Sequence, residues 1–181
     1  MKSSPSRRLI PLFASSVFAL QLLTMATLGA SPQTPGAAAA ADSSLAITGD
    51  VTHPLTLTAA ELKAMPRTTV TIVDQGRDVK YTGVLVGDVL ARAGAPVGRE
   101  LSGAAVATYV LASAKDGYQA VFSLAELDPA FTPNDIIIAD TVDGQPLFDY
   151  QGPFRIVAPK DKRGARSVRM LQRLEVVRLK K

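Results

Sequence analysis

The 181-residue chain is predicted to fold as α+β, with a mixed β-sheet or barrel-like core and short helices. About eight short segments are rich in β-branched and apolar residues, and turn pairs such as Asp116-Gly117 and Asp143-Gly144 separate several of them. Two capping-box sequences each open a short helix. Because strands and helices do not alternate regularly, the pattern argues against a doubly wound parallel sheet.

The predicted strands follow from local composition and from the turns that bound them. A turn at His53-Pro54 closes the first strand, and Gln75-Gly76 turns the second strand back onto the third as a hairpin. The predicted strands cover residues 45–51, 68–73, 79–82, 105–113, 119–122, 136–139, 154–158 and 174–179.

The helix signals are short and local. Thr58 and Glu61 form a capping box, and a helix of about two turns is expected to follow it. Residues 85–93 have the apolar spacing of a second helix, with Gly94 as its C-cap. A second capping box at 123–126 opens a single helical turn.

Residues 1–41 are predicted to be a signal peptide with an alanine-rich cleavage region, which leaves 42–181 as one domain. Arg7 and Arg8 lie in a positively charged start, and residues 9–30 are mostly apolar. Cleavage would leave no stable membrane span and a periplasmic or secreted domain, whereas an uncleaved anchor is the alternative. The arginine pair partly resembles a twin-arginine signal, so both export routes stay open.

Charge is divided along the mature part. Residues 42–154 contain 7 basic and 14 acidic residues, whereas residues 155–181 contain 10 basic and 2 acidic residues. The basic end is interpreted either as a surface that complements the acidic part or as a binding site for phosphate. No aromatic residues are interleaved with the basic ones, so no nucleic-acid partner is expected.

Composition excludes several kinds of site. The chain has no Cys and one His, which excludes disulfides, thiolate ligands and a zinc site built mainly from Cys and His. The single His lies in a predicted turn, and no nucleophile elbow or phosphate-binding glycine loop is present. Hydrolase chemistry therefore has no support in the sequence.

A series of short phrases runs through residues 45–177 in a fixed order. The phrases include Leu55-Thr56-Leu57-Thr58, Tyr81-Thr82-Gly83-Val84, Asp116-Gly117-Tyr118, Gly152-Pro153-Phe154-Arg155 and Gly164-Ala165-Arg166-Ser167-Val168-Arg169. Together they resemble the oxidoreductase molybdopterin-binding domain family, which has the catalytic-domain fold of sulfite oxidases. The resemblance covers nearly the whole mature part and implies that fold for residues 42–181.

The resemblance implies molybdopterin as a possible cofactor. In the family, the pterin dithiolene and one Cys hold a molybdenum ion. The corresponding position falls on or near Asp74, or on Gln75 if the register slips by one. Asp74 is therefore the candidate metal ligand, although a carboxylate is a poor substitute for a soft thiolate.

The resemblance further implies that three arginines, Arg155, Arg166 and Arg169, bind the pterin phosphate. Arginine suits phosphate because its planar guanidinium group can donate two parallel hydrogen bonds. Gly152 and Ser167 complete the predicted anion-binding site, because a glycine lets the backbone approach a ligand closely.

Structural interpretations of the same residues stay open. Arg155 could form an ion pair with an acid such as Asp149, and the other two arginines could belong to a solvated face. Asp74 could be an ordinary turn residue. Tyr118, which follows a turn, is expected in the core rather than in contact with a ligand.

Three functions are consistent with these features. The first is a non-catalytic module that binds a small anion or a pterin-like ligand. The second is a molybdopterin-dependent oxidoreductase with a non-Cys metal site, which would need a redox partner protein because the chain has no second redox motif. The third is a ligand-free periplasmic interaction protein. Whether the protein is an enzyme stays open at this point.

Overall fold

A computed structural model of the chain describes residues 43–133 and 135–180. The predicted signal peptide and its cleavage region lie outside these residues. The strands are β1 Ser44–Gly49, β2 Leu55–Thr58, β3 Thr68–Asp74, β4 Arg77–Leu85, β5 Thr108–Ala114, β6 Gln119–Ser123, β7 Ile137–Val142, β8 Gln145–Pro146, β9 Arg155–Val157 and β10 Leu171–Arg178. The α-helices are α1 Ala59–Lys63 and α2 Val86–Arg92. The α+β prediction is confirmed.

The strands form two separate five-stranded sheets, not one closed barrel. The first sheet has the order β2-β1-β10-β5-β6, and its β1–β10 pair is parallel while its other pairs are antiparallel. The second has the order β3-β4-β7-β8, with β9 also paired to β7. The predicted mixed β-sheet core with short helices is therefore confirmed.

Local hydrogen bonds and backbone angles account for the start of α1 and for the turn between β3 and β4. The Thr58 hydroxyl accepts the Glu61 N–H while the Glu61 carboxylate accepts the Thr58 N–H, so the predicted capping box starts α1. Gln75 and Gly76 have φ angles of 52° and 77°, which is the left-handed pair that a tight hairpin between β3 and β4 requires.

Two regions differ from the sequence prediction. The segment predicted as a strand from residue 105 begins instead with a 3-10 turn, Gly103–Val106, and β5 starts at Thr108. The short strands β2 and β8 were not predicted, because four and two residues are too few to show alternation. Within the described residues, no helix has the length and apolar character needed to span a membrane.

Strands β7 and β9 of the second sheet are buried on both faces. Ile138 of β7 packs in a large core cluster with the inner residues of the first sheet, whereas Ile137 and Ala139 pack in a smaller cluster. On β9, Ile156 belongs to the large cluster and Val157 to the smaller one. Since side chains alternate along a strand, Arg155 shares the face of the smaller cluster.

Candidate functional site

A cleft of about 690 Å³ lies beside the smaller core cluster. Its walls come from the end of β3, the β5–β6 hairpin, the start of β9 and the segment that leads from β9 to β10. The lining residues are Ile72, Val73, Asp74, Asp116, Tyr118, Arg155, Ala158, Pro159, Asp161, Lys162, Gly164, Ala165, Ser167 and Arg169. Four of the predicted site residues, Asp74, Arg155, Ser167 and Arg169, are therefore brought together.

Arg155 is the most deeply buried charged residue of this cleft, at 6% exposure. Its Nη1 donates to the Tyr81 hydroxyl at 2.7 Å and to the Gln151 side-chain oxygen at 2.9 Å. The ion pair considered with Asp149 is not formed. Burial lowers the pKa of Arg155, and nearby Arg169 lowers it further, while Tyr81 and Asp74 act in the opposite direction.

The other edge of the Arg155 guanidinium is unused by the described part of the chain. Its Nε is fully buried and has no hydrogen-bond partner there. A buried donor without a partner costs free energy, and the cost is greater when the group is charged. A bound oxyanion would supply the missing acceptor once the atoms that cover Nε move aside, because the Nε–Nη2 edge of arginine matches two oxygens of a phosphate or carboxylate.

Arg169 and Ser167 approach the cleft from the segment before β10. The guanidinium of Arg169 lies 5.0 Å from the centre of the Tyr150 ring, and this cation–π contact does not use its N–H groups, which form no ion pair with any described residue. Ser167 is mostly buried, and its Oγ accepts the Ala158 N–H at 3.4 Å, which leaves its hydroxyl proton available.

Tyr118 lies at the cleft surface and not in the core, so this expectation was wrong. It is 48% exposed, and its hydroxyl donates to the Ala165 carbonyl oxygen at 2.6 Å. Asp116 accepts the Tyr118 N–H at 2.9 Å, as the predicted Asp-Gly turn implies. The β5–β6 hairpin is thereby tied to the segment that carries Ser167 and Arg169.

Arg166, unlike the other two predicted arginines, is paired with carboxylates. It donates to both carboxylate oxygens of Asp161, at 2.9 and 2.8 Å, and to Glu126 at 3.0 Å. Its guanidinium also lies 4.9 Å from the centre of the Phe122 ring. These hydrogen bonds to Asp161 and Glu126 raise its pKa. Arg166 does not line the cleft, and it holds the wall segment in place.

Gly152 is also outside the cleft lining. A Cβ atom at this position would lie 2.7 Å from the Leu147 carbonyl oxygen, so packing against the β8–β9 connection explains the glycine. Gly164, in contrast, lines the cleft and has open space where a Cβ would be. Of these two glycines, only Gly164 therefore borders the cleft.

Asp74 ends β3 and lines the cleft. Among residues 43–133 and 135–180, no group of three or more His, Cys, Asp or Glu side chains could hold a metal ion. A metal at Asp74 would need its other ligands from a cofactor.

Sequence reasoning missed Tyr81, Gln151 and Lys162 as parts of the site. Tyr81 could have been predicted, because it lies on the same face of its strand as Val79 and Gly83. A buried tyrosine hydroxyl at that position needs a hydrogen-bond partner. Lys162 lines the cleft and forms no ion pair with any described residue, but its position depends on the path of an irregular segment.

Comparisons with known proteins agree with the fold. Among solved structures, the chain is similar to the sulfane dehydrogenase SoxCD from Paracoccus pantotrophus, with 23% identity and a TM-score of 0.59. The match covers 75% of this chain and 38% of that chain, so the likeness concerns the fold. A comparison with curated proteins finds no match. The family model of the oxidoreductase molybdopterin binding domain matches residues 31–181, and the chain belongs to that family.

Proposed function

We propose that the cleft binds a small phosphate-bearing or pterin-like ligand and that it does so as a non-catalytic module of an exported protein. The observation that carries the proposal is the buried Arg155, whose Nε has no acceptor in the described structure although the residue lines a cleft. Structures keep such a donor when a ligand or an ordered water satisfies it.

The other basic groups of the cleft support an anionic ligand. Arg169 and Lys162 form no ion pair with any described residue, so neither is neutralised by a neighbouring carboxylate. The cleft volume of about 690 Å³ is within the range of sites for small molecules and cofactors. A phosphate held by Arg155, Arg169 and Ser167 would lie near Gly164, which has no side chain to fill that part of the cleft.

Molybdopterin fits this cleft only in part. Its phosphate suits the arginines and Ser167, and the orphaned Nε of Arg155 is the observation that favours an oxyanion there. The metal end lacks a thiolate because the chain has no Cys, and Asp74 supplies only hard carboxylate oxygens. We therefore assign no redox step to the site.

Calorimetric titration with inorganic phosphate in 150 mM salt tests the proposal. We expect wild type to bind phosphate, and Arg169→Ala to weaken the affinity about tenfold, the size expected for one charged hydrogen-bond donor. Arg155→Lys should weaken it as well, because a lysine lacks the two-pronged donor edge. Arg173→Ala is the control. It removes the same charge from an exposed position of β10 outside this cleft and should leave the affinity unchanged.

The proposal fails if wild type does not bind phosphate, or if Arg173→Ala and Arg169→Ala reduce the affinity equally. The second result would mean that overall charge attracts the anion and that no defined site exists. The absence of any ligand would favour the third function, an interaction protein.

A second candidate function is a molybdopterin-dependent oxidoreductase in which Asp74 replaces the family's Cys. The observation in its favour is that Asp74 lines the same cleft as Arg155. To test it, the full chain with its own residues 1–41 would be produced in a molybdenum-replete host and purified from the periplasm. Stoichiometric molybdenum and pterin in wild type, with the metal lost in Asp74→Asn, would favour this function over the non-catalytic one.

Export is part of the proposal and has its support in residues 1–41, with their positive start, apolar stretch and alanine-rich end. The amino-terminal sequence of the same periplasmic material would show whether this segment is removed. An amino terminus at residue 1 in membrane-bound material would instead favour the uncleaved anchor.

A further inference from the structure

The cleft carries both signs of charge, and the two signs come from different elements. Arg155 lies on β9, while Lys162 and Arg169 belong to the segment that joins β9 to β10. The carboxylates Asp74 and Asp116 lie at the tips of the β3–β4 and β5–β6 hairpins. Such a distribution does not suit a ligand that is purely anionic.

The carboxylates of the cleft are not equivalent. Asp161 is neutralised by two hydrogen bonds from Arg166, so it presents little charge to a ligand. Asp74 and Asp116 form no ion pair with any described residue, and the hydrogen bond that Asp116 accepts is from the neutral backbone of its own turn. Asp74 acts on Arg155 through space, but neither carboxylate is held in a salt bridge by a described residue.

Arg155 lies deeper than either carboxylate, whereas the other two cations, Lys162 and Arg169, are exposed. Arg155 is 6% exposed and still lines the cleft, whereas Asp74 and Asp116 are exposed. An anion that reaches Arg155 must enter deeply, and any group attached to it would extend towards the hairpin tips. Because carboxylates repel a second anion, a cationic group is the favourable occupant there.

Tyr118 adds an independent feature at the same place. Its half-exposed ring lines the cleft next to Asp116, and the hydrogen bond from its hydroxyl to Ala165 fixes the ring. A fixed aromatic face beside carboxylates attracts ammonium groups through the ring quadrupole.

We infer that the ligand of this cleft is a zwitterion, a phosphate monoester that also carries a protonated amine. The phosphate binds at Arg155 and Arg169, and the ammonium group lies between Asp74, Asp116 and Tyr118. The inference rests on the proposed anion-binding function and adds to it the chemical class of the ligand, the aminoalkyl phosphates.

The test compares matched ligands on the full mature chain by calorimetry at pH 7. Ethyl phosphate supplies the phosphate alone, and aminoalkyl phosphates with two, three or four carbons add the amine. We expect the best aminoalkyl phosphate to bind about fivefold to tenfold more tightly than ethyl phosphate, as for an amine that faces two partly exposed carboxylates. The double variant Asp74→Asn/Asp116→Asn should abolish this gain.

Asp78→Asn is the matched control, because Asp78 is exposed on the same β3–β4 hairpin but does not line the cleft. It should retain the full gain. The inference is overturned, while the proposed function stands, if ethyl phosphate binds as tightly as every aminoalkyl phosphate or if the gain persists in the double variant. If neither inorganic phosphate nor any of the esters binds, the proposed function fails and the inference fails with it.

Discussion

Replacement of Asp140 by alanine is expected to lower the free energy of unfolding by about 2–3 kcal/mol. Asp140 is 6% exposed on β7, and its two carboxylate oxygens accept hydrogen bonds from the two terminal nitrogens of Arg67. The Thr141 hydroxyl donates a further bond to Asp140 at 2.7 Å. Removing the carboxylate leaves these donors without their acceptor.

The size of the effect is set by how much water can replace the lost acceptor. The Arg67 side chain is about a quarter exposed, so partial hydration keeps the cost below that of a fully buried pair. Urea denaturation of Arg67→Ala, Asp140→Ala and the double variant would give the coupling energy of the pair. A loss below about 0.5 kcal/mol in Asp140→Ala would show that this ion pair does not tie the residue before β3 to β7.

Arg166→Gln is expected to weaken phosphate binding about tenfold although Arg166 does not line the cleft. The substitution breaks the bonds to Asp161 and Glu126 and leaves these two carboxylates without their shared cation. The segment that carries Ser167 and Arg169 would then lose its anchor. Because Arg166 is about one-third exposed, we expect a loss of stability of only about 1–2 kcal/mol.

Two further variants separate positioning from charge. Arg163→Gln removes the same charge from the same segment at an exposed position without an ion pair among the described residues, and it should leave the affinity unchanged. Arg166→Lys keeps the charge but lacks the fork that engages both acids, so it should not restore binding. Full rescue by lysine would mean that Arg166 acts through its charge alone.

The hairpins could be predicted from sequence because their chemistry is local. Asp143 and Gly144 have φ angles of 47° and 79°, a conformation that few residue pairs other than Asn-Gly and Asp-Gly adopt easily. The two capping boxes form the predicted hydrogen bonds for the same reason, since each joins residues only three positions apart.

The roles of the arginines could be predicted only in part because they depend on distant contacts. Arg166 is neutralised by Glu126, which is 40 residues earlier in the chain, and Arg155 is held by Tyr81, which is 74 residues earlier. Neither pairing leaves a local pattern. The resemblance indicated the three arginines together, but only the fold distinguishes Arg155, which lines the cleft, from Arg166, which supports its wall.

The Nε–H of Arg155 is expected to donate to a bound oxyanion. A two-dimensional ¹H–¹⁵N spectrum of the arginine side chains, with the Arg155 signal assigned from its absence in Arg155→Lys, observes the Nε–H directly. Addition of phosphate should move this signal downfield and slow its exchange with water, because the proton gains a charged acceptor. If the Arg155 signal stays in place at phosphate concentrations that saturate the calorimetric binding, the anion binds elsewhere and the account of this cleft is wrong.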